Sequence, residues 1–139
     1  MPKVSDFPYL APTPSTKIPV AGETHFLVGD IAPAKVYRAL LTQISTLPPS
    51  VTVLENTLNG TVVWTYNAPG SYVGTLVGAF PPNKCFTQAT HRNASATGFI
   101  AAKAPNNNSN DILVTTFNGS ILANNLITDG ACLEVLVYP

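Results

Sequence analysis

Charged side chains are scarce in this chain of 139 residues, in which seven Lys and Arg balance seven Asp and Glu. The charged fraction is 10 %, whereas globular proteins average about 25 %. A surface that binds nucleic acid or an anionic membrane needs clustered Lys and Arg, so the composition argues against both partners. Apolar runs are also short, and none approaches the roughly 18 residues of a membrane span, which argues against membrane insertion.

Residues that carry chemistry are equally few, with two histidines, His25 and His91, and two cysteines, Cys85 and Cys132. The chain has no Gly-x-Ser-x-Gly nucleophile elbow and no Gly-rich phosphate loop. Neither cysteine has a second Cys or a His at chelating spacing. We therefore expect a non-enzymatic protein with no catalytic residues, no cofactor and no metal, and a small hydrolase is the least favoured class. The cysteines are either two buried free thiols in strands or a disulfide formed in an oxidising environment.

The stretch from 39 to 83 contains a single charged residue, Glu55, yet it has the pattern of successive β-strands. A lone soluble domain normally presents charge on the exposed face of its strands. Here that face would consist of Thr, Asn, Ser, Gly and Tyr. The pattern favours a protein that packs against copies of itself or against a larger assembly, and we expect a homo-oligomer, with a trimer as the first choice.

Short apolar runs that alternate with turn residues predict an all-β fold. Hairpin signals occur at Asn59-Gly60 and Asn118-Gly119, because both residue types tolerate positive φ. About eight to ten strands at roughly ten-residue spacing, without a convincing helix, are typical of an antiparallel β-sandwich of jelly-roll or Greek-key type. We assign this domain to residues 23–139. The predicted strands are residues 25–28, 35–43, 51–54, 61–66, 71–80, 84–90, 96–102, 111–117, 120–123 and 131–138.

Residues 1–22 form a separate segment that contains five prolines. Proline precludes a helix and disfavours a central strand, so polyproline-like extended structure is expected. The segment is either a disordered tail or an arm that anchors the domain to a neighbouring subunit or a scaffold. The apolar residues that could serve as the anchor are Phe7, Tyr9, Leu10, Ile18 and Val20.

Aromatic residues give the one lead to a ligand. Trp64, Tyr66 and Tyr72 flank a single turn, and Trp64 and Tyr66 share a face of their strand. Packing in the core or at an interface is the favoured interpretation, above all for Trp64. The alternative is a platform on which the apolar face of a sugar stacks. This alternative would make the chain a stand-alone carbohydrate-binding β-sandwich module.

Several segments together resemble β domains in the fibre and other structural proteins of tailed bacteriophages. The similarity covers residues 35–90 and 131–138. It rests on Trp64, on the strand Gly70-Ser-Tyr-Val-Gly74 that follows, on the turn Asn83-Lys-Cys-Phe86, and on the closing strand. These motifs are structural. The resemblance therefore implies a fold and a virion setting, but no binding site.

The resemblance and the short chain together predict a virion surface protein. A long shaft, expected of a tail fibre, is absent, and the proline-rich arm is not part of the family pattern. Both departures favour a capsid-decoration or head-fibre protein that the arm attaches to other virion proteins, with a host-surface glycan as a further candidate partner. Since the N-terminus has no apolar h-region, we expect synthesis in the host cytoplasm without a signal peptide.

Overall fold

The computed structural model describes residues 32–92, 98–105 and 107–139, and a compact unit begins at Ala34. The described residues contain nine strands and no helix, and therefore no helix that could span a membrane. The predicted strand at 25–28 and the arm with its five anchor residues lie outside the described residues. The strands are β1 (Lys35–Thr42), β2 (Ser50–Asn56), β3 (Val63–Ala68), β4 (Ser71–Thr75), β5 (Cys85–His91), β6 (Phe99–Lys103), β7 (Asp111–Asn118), β8 (Ile121–Leu122) and β9 (Ala131–Val137).

Two antiparallel sheets pack face to face, which confirms the predicted β-sandwich. The β1 sheet has the strand order β2-β1-β9-β5, and the β4 sheet has the order β3-β4-β7-β6, with the short β8 paired to β7. Neighbours such as β1 and β9, or β4 and β7, are far apart in the sequence. The sandwich is therefore held by long-range pairing as well as by local hairpins.

Strict alternation of burial along the central strands explains why these segments form a sandwich. In β7 and β9 every second side chain is buried, because successive residues of a strand point to opposite faces. The inward set of both sheets makes one apolar core. Its members include Tyr37, Leu41, Trp64, Tyr72, Phe80, Ile112, Val114, Ile127, Leu133 and Val135.

Two hydrogen bonds cross this core and join the sheets. The Trp64 indole Nε1, on β3, donates to the Tyr37 hydroxyl on β1 at 3.1 Å. The Tyr72 hydroxyl, on β4, donates to Oε1 of Gln43, which follows β1, at 2.8 Å. Burial raises the pKa of both Tyr37 and Tyr72. Each large polar side chain in the core thus has a partner in the opposite sheet, which fixes how the sheets face each other.

The two predicted hairpins have different outcomes. The turn at Asn118-Gly119 joins β7 to β8 in a hairpin, with Phe117 opposite Leu122, as predicted. The prediction of a hairpin at Asn59-Gly60 is wrong, because β2 pairs with β1 in one sheet and β3 pairs with β4 in the other. Asn59 does adopt positive φ, 63°. The residue type therefore indicated the turn conformation correctly, but the turn carries the chain between sheets.

The strand predicted at 71–80 is also too long, since β4 ends at Thr75. Beyond it the backbone follows the loop before β7, with Phe80 N donating to the Ser109 carbonyl at 2.7 Å. Position 74 of β4 is occupied by glycine, and a Cβ there would approach the Trp64 ring to 2.9 Å.

The two sides of the sandwich differ. At one side the edge strands β5 and β6 are joined by a hydrogen bond from Thr87 Oγ1 to the Ala102 carbonyl, 2.9 Å long. At the other side β2 and β3 each pair with one strand only among the described residues. That side therefore presents two sheet edges.

Candidate interaction surfaces

The outer face of the β4 sheet is almost free of charge. Within the described residues its only charged side chains are Lys103 and Asp111. Asp111 is already bonded, with Oδ1 accepting from Thr75 Oγ1 at 2.7 Å and Oδ2 accepting from Asn108 Nδ2. We call the other outward side chains of this sheet the uncharged face. They are Val63, Thr65, Asn67, Val73, Thr75, Phe99, Ala101, Leu113, Thr115, Phe117 and Leu122.

Three large apolar side chains on the uncharged face are exposed, Val63, Phe99 and Leu122, and three are half-buried, Val73, Leu113 and Phe117. Leu122, Phe117 and Phe99 lie in one cross-strand row, and Phe99 is 68 % exposed. Val63, near the other end of the sheet, is 60 % exposed. Single exposed apolar residues are ordinary, but a contiguous set with few charges is typical of a contact surface.

The outer face of the β1 sheet has a different character. Strand register places Glu55 of β2, Arg38 of β1, Glu134 of β9 and Gln88 of β5 side by side, and we call these four residues the charged row. Arg38 donates from Nε to Glu134 Oε2 and from Nη1 to Glu55 Oε2, both at 2.5 Å. The hydrogen bonds to Glu134 and Glu55 raise the pKa of Arg38 further. The guanidinium is therefore clamped between two carboxylates in an orientation set by three strands.

A shallow depression of about 260 Å³ lies over part of the charged row. Arg38, Glu134 and Gln88 line it, together with Leu54 and Thr90. Leu54 reaches it because the pairing of β1 with β2 shifts register between Arg38 and Ala39, which leaves Leu54 as an extra residue on β2. The bulge thus supplies one wall of the depression.

The two cysteines are free and lie on opposite faces of the β1 sheet. Cys132 is exposed beside Leu40 and Thr90 on the outer face, whereas Cys85 is half-buried opposite the buried Val137. The disulfide interpretation is therefore wrong. The free-thiol interpretation is right, although Cys132 is not buried as it assumed. Burial raises the pKa of the Cys85 thiol.

The predicted sugar platform does not form an exposed surface. Trp64 is 8 % exposed and Tyr72 is fully buried, so neither ring can stack on a ligand. Tyr66 is half-buried, packs against the Tyr72 ring at 6.3 Å between centroids, and accepts a hydrogen bond from Asn124 Nδ2. The three aromatic residues are thus brought together, but as packing.

Catalytic chemistry gains no support in the part of the chain that the structure describes. No group of three or more His, Cys, Asp or Glu there could hold a metal ion. His91 ends β5, and its Nε2 atom is buried without a hydrogen-bond partner among those residues.

The charged row was not foreseen from the sequence, because its members come from four strands. The available signal was modest: Glu55 and Glu134 are each the sole charge within a run of strand-forming residues, and Arg38 shares its run only with Lys35 at the start of the strand. Such isolated charges mark the outward side of a strand, but only the register of β1 with β2 and β9 shows that they meet.

Comparisons with protein-family models, with curated proteins and with solved structures give no match to this chain. The resemblance to phage fibre domains therefore stays a prediction.

Proposed function

We propose that this chain is a non-enzymatic structural protein displayed on the surface of a virus particle, as a capsid decoration or head fibre. In this role it forms a homo-oligomer, with a trimer as the expected number, and attaches to other virion proteins through residues 1–22. The observation that supports the proposal is the uncharged face, which suits contact with protein better than contact with water. A second copy of the chain is the occupant that we assign to it.

The size of the uncharged face limits how the copies can meet. Four strands spaced by about 4.8 Å, with about five residues each, cover roughly 20 Å by 17 Å. A standard protein–protein contact buries about 800 Å² on each partner, which is more than such an area provides. The contact must therefore extend beyond the face.

The self-contact can extend from the uncharged face to the adjoining sheet edge at β3. This strand, Val63–Ala68, carries no charged residue, and among the described residues it pairs only with β4. Monomeric proteins commonly protect such an edge with Lys, Pro or a covering segment. Pairing of β3 with another copy would satisfy its backbone groups and continue the uncharged face from one subunit to the next.

A matched pair of threonine substitutions tests the self-contact. Thr65→Lys places a charge on the uncharged face, and Thr52→Lys places the same charge on the outer face of the β1 sheet. Both threonines are exposed on edge strands. Light scattering of the parent protein at micromolar concentration should give a multiple of 14.6 kDa. Thr65→Lys should lower this mass, whereas Thr52→Lys should leave it unchanged.

A monomeric parent protein would contradict the self-contact, and equal masses for the two variants would assign it to another surface. Attachment is tested separately by deleting residues 1–22 and measuring co-sedimentation with the particle. We expect the deleted protein to fold and to stay unbound. A stand-alone carbohydrate-binding module would instead be monomeric, and no particle would retain it.

A further inference from the structure

We infer that the depression on the outer face of the β1 sheet is a binding site for a single sugar ring. The hydrogen-bonding side chains that line it are Arg38, Glu134, Gln88 and Thr90, and Glu55 and Phe86 lie on the same face of the sheet outside the depression. The depression replaces the buried aromatic set of Trp64, Tyr66 and Tyr72 as the place where this protein could contact a glycan. The inference extends the proposed display role, but binding to a sugar is measurable on the free protein whether or not particles retain it.

The polar groups of this site are held in place before any ligand arrives. Arg38 uses two of its five N–H groups on Glu55 and Glu134, so others can still donate. Each carboxylate binds Arg38 through Oε2, which leaves its second oxygen as an acceptor. Fixed donors beside fixed acceptors match the hydroxyl groups of a sugar, each of which both donates and accepts. Binding to such a site costs little side-chain ordering.

Gln88 and Thr90 extend this arrangement along β5. They are two residues apart, so both project from the same face as Glu134 and Cys132, their partners on β9. Gln88 adds an amide with both a donor and an acceptor, and Thr90 adds a hydroxyl. Both side chains line the depression and are exposed.

Phe86 supplies an apolar surface next to the polar groups. It precedes Gln88 by two residues on β5, projects from the same face, and is 48 % exposed. Its row neighbour on β9 is Leu136. A sugar ring combines a hydroxyl rim with an apolar face, and an aromatic ring beside hydrogen-bonding groups matches both features.

Charge and size narrow the ligand class. Glu55, Arg38 and Glu134 together carry one net negative charge, which disfavours a phosphate, a sulfate or a sialic acid carboxylate. The volume of about 260 Å³ lies below the roughly 300–1,000 Å³ of pockets that hold drug-sized ligands. The site therefore fits one neutral hexose, or one such unit at the end of a longer glycan.

Saturation-transfer NMR with the methyl glycosides of glucose, galactose, mannose and N-acetylglucosamine tests the inference on the full chain. We expect at least one of them to bind, and we expect Phe86→Ala and Gln88→Ala each to weaken that binding tenfold or more. Thr65→Ala on the uncharged face is the matched control and should bind as the parent does. Thermal unfolding of every variant confirms that the fold persists.

The opposing outcomes are distinct from those of the assembly test. Absence of binding to all four glycosides, and to neutral glycans on an array, would overturn the inference while leaving the oligomer in place. Binding that survives Phe86→Ala and Gln88→Ala would assign the sugar to another surface and would equally overturn it. A preference for putrescine over every glycoside would show that the two carboxylates select cations instead.

Discussion

The two outer faces of this sandwich rest on one core but present opposite surfaces. Outside the β1 sheet, Arg38 is clamped by Glu55 and Glu134 over a small depression. Outside the β4 sheet, charge is confined to Lys103 and Asp111 in the described strands, and Phe99 and Val63 are largely exposed. The inward residues of both sheets are similarly apolar, so the core does not require this difference.

The contrast shows which constraint acts on each side of a strand. Inward positions are fixed by packing, whereas outward positions follow what each face meets. A face that stays in water and binds a small polar ligand can keep a fixed set of charges. A face that meets another protein subunit avoids charge, because burying an incompletely paired charge is costly. The difference between the faces is therefore the strongest guide to function in this molecule.

The largest expected effect separates the inner side of β3 from its outer side. Trp64 is buried and Val63, its neighbour, is 60 % exposed. Trp64→Ala should lower the free energy of unfolding by about 3–5 kcal/mol, because it opens a cavity and leaves Tyr37 without its donor. Val63→Ala should change it by about 0.5 kcal/mol or less. Chemical denaturation of both variants measures the difference.

If Trp64→Ala proved nearly as stable as the parent, the indole would not belong to the shared core. The two outer faces could then no longer be compared as surfaces that rest on the same core. A large loss in Val63→Ala, measured where the protein is oligomeric, would instead show that the uncharged face contributes to stability through the self-contact. Measuring the effect of Val63→Ala in the Thr65→Lys protein, in which the self-contact should be weakened, separates these cases.

A smaller effect compares the two hydrogen bonds that cross the core. Tyr37→Phe leaves the buried Trp64 N–H without its acceptor, and Tyr72→Phe removes the donor to Gln43. Gln43 Oε1 still accepts from the Asn125 backbone N–H at 3.2 Å. We therefore expect about 1–3 kcal/mol of destabilisation for Tyr37→Phe, and a lower value for Tyr72→Phe. The reverse order would mean that water or another group replaces the tyrosine at Trp64.

The fold was largely predictable from the sequence because alternation is local. In β1, β7 and β9 the buried residues follow the period of two that the sequence displays. Strand partners were less predictable, since they depend on contacts between distant segments. The Asn59-Gly60 turn illustrates this limit: its φ follows from residue type, but its connection between sheets depends on the pairing of β2 with β1.

The candidate surfaces were predictable only in part. Low charge between 39 and 83 correctly indicated that β3 and β4 carry no charge on their outer face. The expected composition of that face was partly wrong, because Tyr72 faces the core and Val63 and Val73 face outward. The aromatic lead was wrong as a ligand platform, since the sequence does not show which side of β3 and β4 faces the core. The charged row was missed because it requires the register of β2, β1, β9 and β5.

Alkaline pH tests both sheets at once. Burial raises the pKa of Tyr37 in the β1 sheet and of Tyr72 in the β4 sheet. A raised pKa means that folding favours the protonated hydroxyl, so this contribution to stability is complete below the unfolded value of about 10 and declines as the pH rises above it. Denaturation between pH 8 and 11 should show the decline. It should be weaker in the double variant Tyr37→Phe and Tyr72→Phe.

A flat profile in the parent would contradict the burial of these hydroxyls. An unchanged decline in the double variant would assign the pH dependence to other groups.

The smallest effect is on chemical labelling, and it reports which face is covered in the oligomer. Iodoacetamide should modify Cys132 in the native protein and reach Cys85 only after unfolding. Cys132 lies exposed on the outer face of the β1 sheet, whereas Cys85 points inward and its burial raises its pKa, which lowers the thiolate fraction. Intact mass and peptide mapping identify the site, and Cys132→Ser should remove the native adduct.

If the copies meet through the uncharged face, Cys132 should react equally fast in the parent oligomer and in the Thr65→Lys protein. Protection of Cys132 in the oligomer alone would place the self-contact on the face that carries the charged row, and the roles assigned to the two faces would have to be exchanged.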